Sequence, residues 1–162
     1  TEEDVTGLWK QLQSGIIDIV TSDHSPYPLH RKETTNIFDA YAGMPGAETL
    51  GTLLYSEGVA TGRISLTRFL ELVCSGPSDI FGFRNKGRLA PGADADFIVF
   101  DPGASWEVDD AELHYAVGVS PYNGRSVNGR VDSTWLRGEC VFRNNEVIGT
   151  PGLGRFVRPN KS

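Results

Sequence analysis

The feature that most constrains this chain is the apolar run Ile16-Ile17-Asp18-Ile19-Val20, which ends in Thr21-Ser22-Asp23-His24-Ser25-Pro26. A nearly unbroken apolar stretch of this length predicts a strand over Ile16–Thr21 buried on both faces, as in a parallel sheet. In structures built from such strands, reacting side chains gather at the C-terminal strand ends. Asp23 and His24 fall there. An acid in that place can hold a metal or move a proton. It can equally be a solvated residue of a polar turn.

The surrounding pattern is an α/β alternation. Residues 1–15 predict a helix: Thr1 is a cap and Glu2-Glu3-Asp4 fill the first turn. Val5, Leu8, Trp9 and Leu12 recur at helical spacing, and Gly15 is the stop. A long loop follows from Ser25 to Pro45, of the kind that often serves as a lid or binding loop. A helix is predicted over Ala47–Glu57, with Gly58 and Gly62 as interruptions. Another starts at the cap Ser65, carries Leu66, Phe69, Leu70 and Val73 on one stripe, and stops at Gly76-Pro77. Residues 78–83 read as one more short helical turn. After Lys86-Gly87 the pattern becomes β: Ala95–Asp101, a short strand at Trp106 and Val108, and Val131–Val141 broken by Gly138. Asn144-Asn145 is a turn before Val147-Ile148. The chain therefore reads as an α/β part, residues 1–85, followed by a β part, residues 86–162. Neither is complete in pattern, since one parallel strand forms no sheet and a few strands leave open edges.

Composition excludes several function classes. A net charge of −6 argues against nucleic acid or an anionic membrane surface as partner. No apolar run approaches the roughly 20 residues of a membrane span, and the acidic start Thr1–Asp4 is unlike a signal peptide. Cys74 and Cys140 make neither a disulfide framework nor a zinc knuckle, so a reducing cytoplasm is the expected compartment. Cys74 reads as an inert core thiol. Trp9, Trp106 and Trp135 sit at apolar positions. Arg125, Arg130, Arg137 and Arg143 read as a solvated face. Gly152-Leu153-Gly154 lacks the strand–helix context of a nucleotide loop.

Four stretches carry a family resemblance. Asp18–Pro26 resembles the last barrel strand of the cyclic amidohydrolases, the group of dihydropyrimidinase, hydantoinase, allantoinase and dihydroorotase. Gly43-Met44-Pro45-Gly46-Ala47-Glu48 is similar to the loop after that strand, and Gly58–Leu66 to the connection that follows. Lys86-Gly87-Arg88-Leu89-Ala90-Pro91-Gly92-Ala93-Asp94-Ala95-Asp96 resembles the lead-in to the family's C-terminal β-sandwich. The resemblance implies the C-terminal end of a metal-dependent (β/α) barrel, residues 1–85, followed by part of a small β-sandwich and a tail, residues 86–162.

The resemblance also implies a function. It points to a zinc-dependent hydrolase that opens cyclic amides of the hydantoin, dihydropyrimidine or allantoin type. Two zinc ions are expected in the full-length enzyme and none on this piece, which is expected to be inactive alone. The family's His-x-His motif is not in this sequence, whose histidines are His24, His30 and His114. By resemblance, Asp23 is metal ligand and general base in turn, and main-chain groups of Ala42, Gly43 and Met44 hold the substrate ring. Hydantoinase-like members often carry Asn at the place of Ala42, a change that a main-chain contact tolerates. A tight turn before a helix is the plainer reading of the same glycine-rich loop.

His24 could ligate through a neutral imidazole, but it faces away from Asp23 and reads as support for the strand end. His30 reads as a solvated loop residue and His114 as structural. The Ser120–Arg125 stretch and Thr134–Gly138 look allantoinase-like, whereas the tail Gly154-Arg155-Phe156-Val157 leans toward hydantoinase. A homo-oligomer is expected. The alternative is a non-catalytic, dihydropyrimidinase-like scaffold or assembly protein.

Overall fold

A computed structural model of the chain describes residues 1–159. Helix α1, Glu2–Ser14, begins in the predicted way. The Thr1 hydroxyl accepts from the Asp4 backbone N–H at 3.2 Å while the Asp4 carboxylate accepts from Thr1. Gly15 closes it. Its apolar stripe is narrower than predicted: Leu12 is buried and Trp9 half-buried, but Val5 and Leu8 are exposed.

The predicted strand Ile16–Thr21 does not form a ladder. A parallel strand draws its hydrogen bonds from neighbouring strands, and the described residues place none beside it. Scattered contacts hold it instead, beginning with the Ile16 N–H, which donates to the Gln11 carbonyl at 3.1 Å. The Val20 N–H donates to the Leu72 carbonyl at 3.1 Å, and His24 forms an isolated parallel bridge with Met44. Ile17 and Val20 still pack on the core of Leu12, Leu54, Ile64, Phe69 and Leu72.

The helical hairpin behind this segment follows the sequence, with one departure. Helix α2, Leu50–Leu54, widens into a π-turn over Tyr55–Val59. Helix α3, Leu66–Leu70, is capped by Ser65, whose hydroxyl accepts from the Arg68 N–H at 3.1 Å. The predicted stop at Gly76-Pro77 does not occur. A π-turn at Glu71–Ser75 passes straight into helix α4, Gly76–Ile80, with Pro77 in its first turn. In that turn the Gly76 N–H reaches the Glu71 carbonyl. Pro77 has no N–H to offer Leu72, so the Leu72 carbonyl is open to Val20. Arg68 ties the hairpin to α1: its Nε donates to the Leu12 carbonyl at 2.8 Å and its guanidinium also reaches the Ile17 carbonyl.

The β part is a four-stranded antiparallel sheet in the order β1-β2-β3-β4, with strands Phe97–Glu107, Ser126–Leu136, Glu139–Arg143 and Glu146–Val147. The predicted strands at Ala95–Asp101 and Trp106–Val108 are largely one strand. Its register shifts between Asp101 and Ser105, where Pro102 sits in an irregularity, the place a proline can occupy within a sheet. The two-residue turns Arg137-Gly138 and Asn144-Asn145 all have positive φ, at 50°, 81°, 51° and 62°, the conformation that matches strand twist in tight hairpins. The arginines are not a bare solvated face. Arg130 lies over Trp106, Arg143 over Trp135, and Arg125 pairs with Glu57.

The sheet docks on α2 and its π-turn. The Asn128 N–H donates to Ser56 Oγ at 2.9 Å, and the Tyr55 ring meets Phe100 at 4.7 Å and Phe69 at 6.1 Å. Gly129 is required at the contact: its φ is +86°, and a Cβ there would stand 2.4 Å from Phe100. At the lead-in to the sheet, Lys86 pairs with Asp94 at 2.7 Å and with Asp96, which also accepts from the Arg137 N–H. Burial works against the charged Lys86, but its two carboxylate partners outweigh it and hold the ammonium above its ordinary value. Burial likewise opposes the Asp96 charge, while the Lys86 and Arg137 hydrogen bonds hold the carboxyl below its ordinary value.

Candidate active site

Asp23 is exposed at the end of the apolar segment, with φ 46°. A non-glycine residue in the left-handed region is uncommon, and Asp is among the residues that tolerate it. His24 next to it is engaged on its other side. Its Nδ1 accepts from the Gly46 and Ala47 N–H groups, both at 3.1 Å. A nitrogen that accepts two donors carries no proton, so the neutral ring is protonated at Nε2. His24 is thus a fastener for the turn that leads into α2.

The loop of Ala42, Gly43 and Met44 comes directly against this strand end. The Ser25 N–H donates to the Met44 carbonyl at 3.0 Å, beside the His24–Met44 bridge. Gly43 has φ +114°, and a Cβ on it would lie 2.6 Å from the Ser25 carbonyl oxygen. Only glycine permits that approach. The two stretches singled out in the sequence, 23–24 and 42–44, therefore form one backbone unit.

Three supporting residues went unrecognised in the sequence. The Lys32 ammonium donates to the Tyr41 carbonyl at 3.0 Å and to the Gly43 carbonyl. The Tyr115 hydroxyl accepts from the Glu48 N–H at 3.0 Å, and its ring lies 5.2 Å from that of His24. Glu48 in turn accepts from the His114 N–H and pairs with its Nδ1, both at 2.8 Å. The His114 ring also meets that of Phe142 at 5.7 Å. Lys32 was visible only as one more loop cation, and nothing local signals a contact between positions 48 and 115.

A cavity of about 730 Å³ opens between the His24–Glu48 turn and the sheet residues Trp106, Leu136 and Phe142. A second, of about 280 Å³, lies among Val20, Ser22, Met44 and Leu53. Asp23 lines neither, so cavity size does not mark the strand end as a site. Among the described residues no three His, Cys, Asp or Glu side chains converge as a metal cluster. The carboxylate at the strand end is that of Asp23. His30 is exposed, and burial pushes the half-buried Cys74 thiol up, which suits an inert thiol.

The chain belongs to the amidohydrolase family, whose profile matches residues 1–141. More particularly, it is 40% identical over 159 residues to a protein named allantoinase from Rubrobacter xylanophilus, covering 98% of this chain and 35% of that one. It superimposes on a D-hydantoinase structure with a TM-score of 0.95 at 34% identity, covering 99% of this chain and 36% of that one. Dihydropyrimidinase from Brevibacillus agri NCHU1002 gives a TM-score of 0.91 at 36% identity, covering 94% and 34% of the two chains. The chain spans about a third of the length of the relatives it matches.

Proposed function

We propose that this chain is the C-terminal part of a zinc-dependent hydrolase that opens cyclic amides. Residues 1–85 supply the last strand of a (β/α) barrel with its helices. Residues 86–162 supply part of the adjoining β-sandwich and the tail, of which 160–162 lie outside the described residues. The observation that carries the reading is the backbone unit at the strand end: a carboxylate in a left-handed conformation, bridged through the next residues to a glycine loop. Left-handed non-glycine residues concentrate at functional sites.

The residues present fit one ligand position. The Asp23 carboxylate is a suitable oxygen donor for a divalent metal, and further ligands would come from outside this chain. Bound zinc lowers the pKa of water from 15.7 to about 7. Asp23 takes the proton from the attacking water at a carboxylate oxygen and delivers it to the ring nitrogen as the C–N bond breaks. Main-chain groups of Ala42, Gly43 and Met44 hold the planar edge of the ring. The names of the relatives favour hydantoin, dihydropyrimidine or allantoin as the substrate class.

On this reading the isolated chain is inactive and loads no stoichiometric zinc. It also associates, because Ile16 and Phe156 are exposed and open apolar surface recruits other chains. The longer protein is a homo-oligomer of the cytoplasm on the same resemblance; among the described residues no helix is long and apolar enough to cross a membrane. The test is Asp23→Asn in the longer protein. It lowers kcat about 10²–10⁴-fold with little change in KM. A near-normal kcat removes Asp23 from catalysis.

A further inference from the structure

In the loop at 41–44 two carbonyls share a single ammonium. Lys32 is half-buried, and its Nζ serves two carbonyls that bracket Ala42, those of Tyr41 and Gly43. The next carbonyl, that of Met44, is taken by the Ser25 N–H. Of the four carbonyls in 41–44, that of Ala42 alone receives no donor among the described residues. The clamp is itself braced. The Tyr41 N–H donates to the Arg31 carbonyl at 3.0 Å, and the Tyr27 and Tyr41 rings meet at 5.0 Å, with the Lys32 ammonium 6.0 Å from the Tyr27 ring centre. No other described side chain donates a hydrogen bond to the Tyr41 or Gly43 carbonyl, and the Arg31 guanidinium lies 5.4 Å from the centre of the Tyr41 ring.

We infer that Lys32 is a positioning residue for substrate. It pulls the carbonyls of Tyr41 and Gly43 to one side, which leaves the Ala42 carbonyl as the loop's open acceptor for a ring N–H. This rests on the reading of the loop given under the proposed function. A charged donor to a carbonyl is a strong hydrogen bond, and losing two of them lets the loop drift. Lys32 touches no reacting atom, so its loss acts on binding before chemistry.

The experiment uses the longer protein and three versions: parent, Lys32→Met and Lys32→Arg. Lys32→Met keeps the apolar stem and loses the donors; Lys32→Arg keeps the charge and can reach two carbonyls. For the cyclic amide that the parent hydrolyses best, Lys32→Met raises KM by about tenfold or more. Its kcat changes less than threefold, and Lys32→Arg recovers most of the loss. Hydrogen exchange followed by mass spectrometry shows faster exchange over 41–46 in Lys32→Met, with the 97–107 strand unchanged. The inference is overturned if Lys32→Met leaves KM within twofold and exchange at 41–46 unaltered. It is also overturned if both variants lose kcat and melting temperature together, the mark of a merely structural role. A parent without cyclic-amide hydrolysis overturns the proposed function and the substrate half of this inference, while the exchange readout still decides whether Lys32 holds the loop.

Discussion

The sheet of residues 97–147 and the segment of residues 16–24 satisfy their backbones in opposite ways. In the sheet every strand pairs with its sequence neighbour, through two-residue turns or one longer connection. In the segment, Val20 reaches across to Leu72 and His24 to Met44. The difference teaches that antiparallel hairpins carry their partners with them, whereas an apolar parallel-type segment depends on whatever distant elements are present. The functional candidate sits on the second kind of structure, fastened at a few points.

Four substitutions would break or sharpen that contrast. The largest effect is expected from Gly129→Ala, which forces a Cβ into Phe100 and Tyr55. Overpacking and a left-handed backbone together cost about 3 kcal/mol, a fall of roughly 10 °C in a thermal melt. A melt within about 2 °C of the parent would show that the sheet is not docked through this contact. Next is His24→Ala, which leaves the Gly46 and Ala47 N–H groups without their acceptor. It costs about 1–3 kcal/mol, and exchange at those two amides speeds up while the sheet amides stay protected. Equal acceleration in both regions would mean that the two are one cooperative unit.

Lys86→Met probes the joint between the parts through pH. Asp96 titrates below its ordinary 3.8, so its contribution is complete above that value and is lost as pH falls through the lower native one. Lys86 titrates above its ordinary 10.5, so its contribution holds below that value and is lost as pH rises through the native one. The variant therefore lowers stability at neutral pH by about 1 kcal/mol, and denaturant titrations show a shallower decline below about pH 4. A parent and variant with parallel acid limbs would contradict this. Smallest is Ser65→Ala, which removes the α3 cap for about 0.5–1 kcal/mol in the same titrations. No measurable loss would mean that tertiary packing alone sets that helix start.

What could be read from the sequence follows the same division. The caps Thr1 and Ser65, the break at Gly138 and the turn at 144–145 were legible because their signals close within a few residues. The Asp23 strand end and the 42–44 loop were legible as stretches, and the structure brings them together through Ser25 and Met44. The fate of Ile16–Thr21 was not, because apolar content reports burial and says nothing of which backbone will pair. Helix continuity past Gly76-Pro77 was hidden because a wide turn absorbs a proline that an ordinary helical turn would reject. Lys32, Glu48 and Tyr115 act across 9 to 67 residues of chain, a span no local pattern encodes.

The missing N–H of Pro77 has a consequence for the order in which this molecule assembles. The Leu72 carbonyl is presented to Val20 only by residues 66–80 wound into their helix with its wide turn. Docking of the Val20 segment is then a late event, contingent on a helical hairpin whose own bonds are local and fast to form. The reverse path is equally selective. A partial opening can release the segment, with Asp23 at its end, while the helices stay wound, at a free energy well short of global unfolding. Protection of the single Val20 amide would therefore clock the arrival and departure of the strand end, separately from the folding of everything behind it.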